Sequence, residues 1–202
     1  TGLDPENDNQ RNFHDFLKRS GYKVVSKDIR KYGDGRIKAN LDIELVVVLG
    51  HSGCGAVTAA VDVYLKPGEY LALADKHGLR SILDRLLVVI NAAAKRLAEV
   101  HGPDVTRRPG YRTALIEAAS VSHAALGAYT LQQELGGAAS GDLRAAYGVY
   151  LLDRRTVWSP RAGSTDCSGL AYPPADLAEF AGFSDAVVTS ERIVALLDRG
   201  AE

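Results

Sequence analysis

The sequence predicts an α/β protein in three layers, with a mainly parallel sheet and helices on both faces. Three observations carry that expectation. Segments alternate in the order strand, helix, strand, helices, strand, the pattern of parallel strands joined by helical crossovers. Ile43 to Leu49 is almost wholly apolar and rich in β-branched residues, as a strand buried on both faces requires. Two long stretches, Ser81–Val100 and Arg112–Leu135, have the composition and spacing of packed helices.

Asn12 to Ser20 reads as a short amphipathic helix with Phe13, Phe16 and Leu17 on one face, stopped by Gly21. Tyr22–Ser26 is strand-like, and Lys31 to Arg36 is a turn by composition. After the strand at 43–49 comes a glycine-rich turn, then a helix from Ala56 to Leu65 ended by Pro67-Gly68. In Ser81–Val100, residues Ile82, Leu83, Leu86, Val89, Ile90, Ala93 and Leu97 recur at helical spacing. The face of Arg112–Leu135 is mostly Ala and Leu, small enough for close packing, and Gly136-Gly137 closes it. Arg144 to Leu152 alternates as a strand, turns at Asp153-Arg154-Arg155 and returns through Thr156-Val157-Trp158 as a hairpin. Ser159 to Pro174 is a loop by its Gly, Ser, Pro and Thr, and short helices follow near Asp176–Phe180 and Ser190–Arg199. No internal repeat is visible, so residues 1–202 are expected to form a single α/β domain.

Bulk composition removes several classes of function. A formal net charge of −1 offers no global field for nucleic acid or anionic lipid, so a nucleic-acid partner is disfavoured. No apolar run approaches the roughly 20 residues of a membrane span, so no membrane partner is expected. Cys54 and Cys167 are the only cysteines, too few for a disulfide framework. With no secretory signal visible at the start, a reducing cytoplasmic setting is expected. Neither a phosphate-binding P-loop nor a dinucleotide glycine fingerprint is present.

The most informative stretch is Leu45 to Gly55, LVVVLGHSGCG. A buried-type strand empties into a turn carrying one imidazole, His51, and one thiol, Cys54. Such a pair suits a borderline metal such as Zn²⁺, and the carboxyl end of a parallel strand is where open α/β sheets hold ligands. Gly53 and Gly55 let the backbone take the conformations a ligand turn needs. The plainer reading is that the turn only connects strand to helix, with Cys54 a small buried apolar group and His51 capping the helix. A zinc site also needs a third protein donor. Cys167 sits on a loop that would have to reach in.

On VVVLGHSGCGAVTAA, Val46 to Ala60, the chain resembles the β-class carbonic anhydrases, whose ligand turn reads GH(S/T)xCG. The resemblance spans about residues 45 to 158. Tyr147 to Asp153 is similar to that family's late GxYDL strand. It implies a zinc enzyme hydrating carbon dioxide reversibly to bicarbonate, working as a homodimer, with His51 and Cys54 as metal ligands. The family's third ligand is a Cys in an upstream CxDxR motif. Here Ser26-Lys27-Asp28-Ile29-Arg30 reads SxDxR, and no Cys precedes Cys54, so in the place the resemblance implies for the third ligand Ser26 is a weak donor and Asp28 a better one. Asp28 and Arg30 would stand where the family keeps its gating and proton-handling pair.

Residues 1–44 instead resemble part of an NYN domain, a PIN-like nuclease fold, on GYKVVSKDIRKYGDGRIKANLDIEL. Asn40 and Asp42 would occupy the metal-binding step, with Asp34 and Glu44 nearby. That resemblance implies a hybrid chain, an NYN-like segment at 1–44 joined to a carbonic-anhydrase-like segment at 45–202. Two other outcomes follow from the same residues: a catalytically inactive or recombined scaffold, or a relic of an RNA nuclease.

Overall fold

The computed structural model describes residues 45–68, 70, 77–136, 144–164 and 167–199. The chain enters through β1, Leu45–His51, and continues into α1, Gly55–Leu65, and α2, His77–His101. A short 3-10 helix at Pro103–Arg107 leads into α3, Tyr111–Gly136. The hairpin strands β2, Arg144–Leu151, and β3, Thr156–Trp158, follow, and α4, Leu177–Val188, and α5, Glu191–Asp198, end the described chain.

The α/β class holds, but the sheet is smaller and more mixed than a three-layer, mainly parallel arrangement. Among the described residues it has three strands in the order β1-β2-β3. β1 and β2 are parallel, with Val48 opposite Tyr147 and His51 opposite Tyr150. β2 and β3 are antiparallel, with Val149 opposite Trp158. The connections decide this. A parallel pair needs a long crossover, which α1, α2 and α3 supply, whereas a tight turn forces the next strand to run back. Arg155, at φ 55°, closes that turn, and its amide donates to the Leu151 carbonyl at 2.7 Å.

β1 differs from expectation in one respect. Its residues 45–50 are half-buried and His51 is exposed, whereas β2 is buried from Ala145 to Leu151. The reason is position: among the described residues β1 has β2 on one edge only.

α3 is the helix seated on the strands, and α1, α2, α4 and α5 gather around it. Its small residues allow the close approach. A Cβ on Gly127 would stand 3.3 Å from Val48 Cγ1, and one on Gly50 would stand 3.5 Å from the Ala124 Cβ. Ala114, Ala118, Ala125 and Ala128 are fully buried on the same helix, as its Ala-rich composition predicts. Leu83, Ile90 and Leu97 of α2 join Leu115 and Val121 of α3 in one continuous core.

α4 runs to Val188, well beyond the short helix expected near Asp176–Phe180. Phe183, Val187 and Val188 are buried and hold the second half down. Phe183 meets the Tyr147 ring edge-on at 5.8 Å and the Phe180 ring at 6.2 Å. Two side chains cap the helix start: Asp176 accepts from the Glu179 amide at 2.9 Å, and Glu179 reaches back to the Ala175 amide at 2.8 Å. No helix among the described residues is long and apolar enough to cross a membrane.

Candidate metal centre

β1 delivers His51 as its last residue, exposed, at the carboxyl end of the parallel pair. Ser52 carries the ladder one step further. Its amide donates to the Tyr150 carbonyl at 2.9 Å, and its buried hydroxyl accepts from the Leu152 amide at 2.9 Å. The turn is thereby tied to the start of the β2–β3 connection. Gly53 then takes φ 64°, a left-handed conformation that side chains resist, and the chain reverses into α1.

Cys54 is the residue that caps α1, and its thiol makes no capping hydrogen bond. Its carbonyl accepts from the Thr58 amide at 2.8 Å, which starts the helix. The thiol is half-buried and packs against the core. The alternative in which His51 caps the helix is therefore corrected. The His51 Nδ1 lies 3.1 Å from the Ser52 carbonyl, and a proton donated there leaves the Nε2 lone pair for a metal.

Imidazole and thiolate fit Zn²⁺ in kind. In number they fall short of a closed site. Among the described residues no group of three or more His, Cys, Asp or Glu is gathered to hold a metal. Cys167 is not brought to the turn. Its carbonyl accepts from the Ser159 amide at 2.7 Å, just past the carboxyl end of β3. Because β3 runs antiparallel, that end points back toward the start of β2, away from His51. Ser26, Asp28 and Arg30 lie outside the described residues, as do Asp34, Asn40, Asp42 and Glu44. His123, which the sequence suggests as a packing residue on an Ala-rich helix, is exposed on α3.

One constellation at this end of the sheet escaped the sequence reading. Arg192 of α5 donates through Nε to Glu117 of α3 at 3.0 Å and through Nη1 to Asp153 of the hairpin turn at 3.4 Å. The Glu117 and Arg192 side chains are only 7% and 12% exposed, so this is a buried ion pair. The available signal was Glu117 itself, a carboxylate within the apolar run Leu115-Ile116-Glu117-Ala118-Ala119. Its partners, far away in sequence, carried none. α1, which starts at Cys54, has its own tie: Arg112 grips Asp62 with two bonds, at 2.7 and 2.9 Å.

Asp153 gives this end of the sheet a pH dependence. Burial pushes its carboxyl up, but the charge and hydrogen bond of Arg192, the backbone amide and Arg154 together bring it below the ordinary value of 3.8. A carboxyl depressed in the folded state contributes stability that is fully present above its unfolded value. That contribution is lost as pH falls through the lower folded value. Between pH 5 and 2, Asp153→Asn is expected to lose less stability than the parent chain, because one acid-sensitive contribution is already gone. Urea midpoints measured across that range check it; parallel curves for the two chains would contradict it.

No protein-family model, no curated protein and no solved structure matches this chain.

Proposed function

We propose that the chain binds Zn²⁺ through His51 and Cys54 and catalyses the reversible hydration of carbon dioxide to bicarbonate. One observation carries the reading: an exposed imidazole and a half-buried thiol share one glycine turn at the carboxyl end of a parallel strand. When bound, zinc lowers the pKa of a coordinated water to about 7, which supplies hydroxide at neutral pH. The residues around the turn have supporting work. Ser52 pins the turn to the hairpin, Gly53 permits the reversal, and the Asp62–Arg112 clasp holds the helix whose first residues follow Cys54. The same reading includes a homodimer in a reducing cytosol, where the Cys54 thiol stays available to a metal.

Elemental analysis beside a CO₂-hydration assay tests it. Purified in zinc-containing buffer, the chain is expected to carry about one zinc per molecule, with Asp28 as the third protein donor that His51 and Cys54 alone do not supply. His51→Ala and Cys54→Ser should each remove most of the zinc and most of the hydration activity. Absence of zinc from the parent chain, or equal zinc in the two variants, would leave the turn a connector and the protein a scaffold.

A further inference from the structure

The second cysteine lies in a built environment of its own. Residues 167–171 return along the hairpin. The Ser159 amide donates to the Cys167 carbonyl at 2.7 Å, Trp158 bridges Ser168, and the Gly169 amide donates to the Val157 carbonyl at 3.1 Å. This register sets Ser159 directly opposite Cys167, with the two Cβ atoms on one face about 5 Å apart. Ser159 is fully buried, at 0% exposure, yet its hydroxyl has no hydrogen-bond partner among the described residues. A buried hydroxyl left unmatched is costly, and it marks a place where another polar atom belongs. Across from it stands a free thiol on a partly exposed residue that also packs against the core. A positive charge is close by: Arg161 donates to the Ser168 carbonyl at 3.2 Å. The Tyr147 phenol, whose proton burial holds on, feels both the Arg161 guanidinium and the Cys167 sulfur, so the three groups share one neighbourhood.

We propose that Cys167 is a peroxide-reactive thiol whose sulfenic acid is held by the Ser159 hydroxyl. The Cys167 thiolate attacks one oxygen of hydrogen peroxide. A sulfur–oxygen bond forms and the oxygen–oxygen bond breaks. The sulfur loses two electrons and the peroxide gains them. The second oxygen leaves as hydroxide and is protonated to water, and the first remains on sulfur as the sulfenic acid. That oxygen is the polar atom the buried Ser159 hydroxyl lacks. The adduct is reversible by thiols, so the site would report oxidation rather than suffer damage.

The test uses the full-length chain carrying Cys54→Ser, so that Cys167 is the one thiol left. The protein is treated with hydrogen peroxide and then with dimedone, whose carbon displaces the sulfenic oxygen as water. Peptide mapping is expected to find the dimedone adduct on Cys167. Adding Ser159→Ala should reduce its yield about fivefold, the effect of one lost hydrogen bond. Alkylation of Cys167 by N-ethylmaleimide without peroxide should proceed at an unchanged rate, because removing the hydroxyl leaves the thiol equally exposed. No dimedone adduct on Cys167, or an equal yield with and without the Ser159 hydroxyl, overturns the proposal.

Discussion

Gly110→Ala is expected to cost about 3 kcal/mol of stability, the upper end for inserting a methyl into a close-packed site. Gly110 is buried one residue before α3. A Cβ there would run into the Leu196 carbonyl oxygen, and would stand 2.8 Å from the Leu196 carbonyl carbon and 3.2 Å from the Leu197 Cα. All three are backbone atoms of α5, so no rotamer change relieves the clash. The helix must move as a body. That movement would expose Ile193, Leu196 and Leu197, all buried against the rest of the core, and would shift the Arg192 side chain from Glu117. For a domain of this size a 3 kcal/mol loss lowers the melting temperature by roughly 10 °C. Thermal and urea unfolding measure it. A loss below about 1 kcal/mol, the average for any substitution, would mean that α5 is not seated on the start of α3 as described.

Glu117→Ala should have an effect of similar size by a different route. It leaves the Arg192 guanidinium, only 12% exposed, without its closest carboxylate. Breaking one partner out of a buried ion pair costs about 3–5 kcal/mol, because an uncompensated charge stays in a low-dielectric site. Asp153 remains at 3.4 Å but is about half exposed, so it offsets part of the loss and the lower end of that range is expected here. Arg192→Met in the same chain should restore much of the stability, since an apolar pair of similar volume fills the space without the charge. Unfolding of the parent, both single variants and the double variant forms the cycle that isolates the pair. If Glu117→Ala costs less than about 1 kcal/mol, the pair behaves as a solvated surface bridge and the burial argument fails.

How far these features could be read before folding varies with their range along the chain. α2 and α3 were legible within a few residues of their ends, because Ile82, Leu83, Leu86 and Ile90 repeat at the period of a helix and Gly136 stops the next one. The hairpin was legible too: Asp153-Arg154-Arg155 between two β-type runs leaves the chain little choice but to reverse. The second half of α4 was not legible, because Phe183 and Val187 find buried partners only when α2 and α3 are present. The partner of β1 was out of reach. A tight turn fixes the direction of the strand that follows it, but nothing in the local pattern of β1 names its neighbour.

The candidate site divides in the same way. His51 and Cys54 are visible as a motif because only two residues separate them, which holds them on one turn whatever the rest of the chain does. The pair Glu117–Arg192 and the facing pair Ser159–Cys167 are created by docking, so no window of sequence contains them.

Local periodicity, turn chemistry and one short motif thus settle which segments are helices, where the chain reverses, and where an imidazole and a thiol stand together. Tertiary packing alone settled the mixed three-stranded sheet, the half-buried state of β1, the ion pair beneath the hairpin turn and the pairing of Cys167 with a buried hydroxyl. The physical reason is range. Backbone torsions and side-chain spacing act over a few residues and can be summed along the chain. Burial, charge compensation and strand partnership depend on groups brought together from its far parts, and exist only once those parts have met.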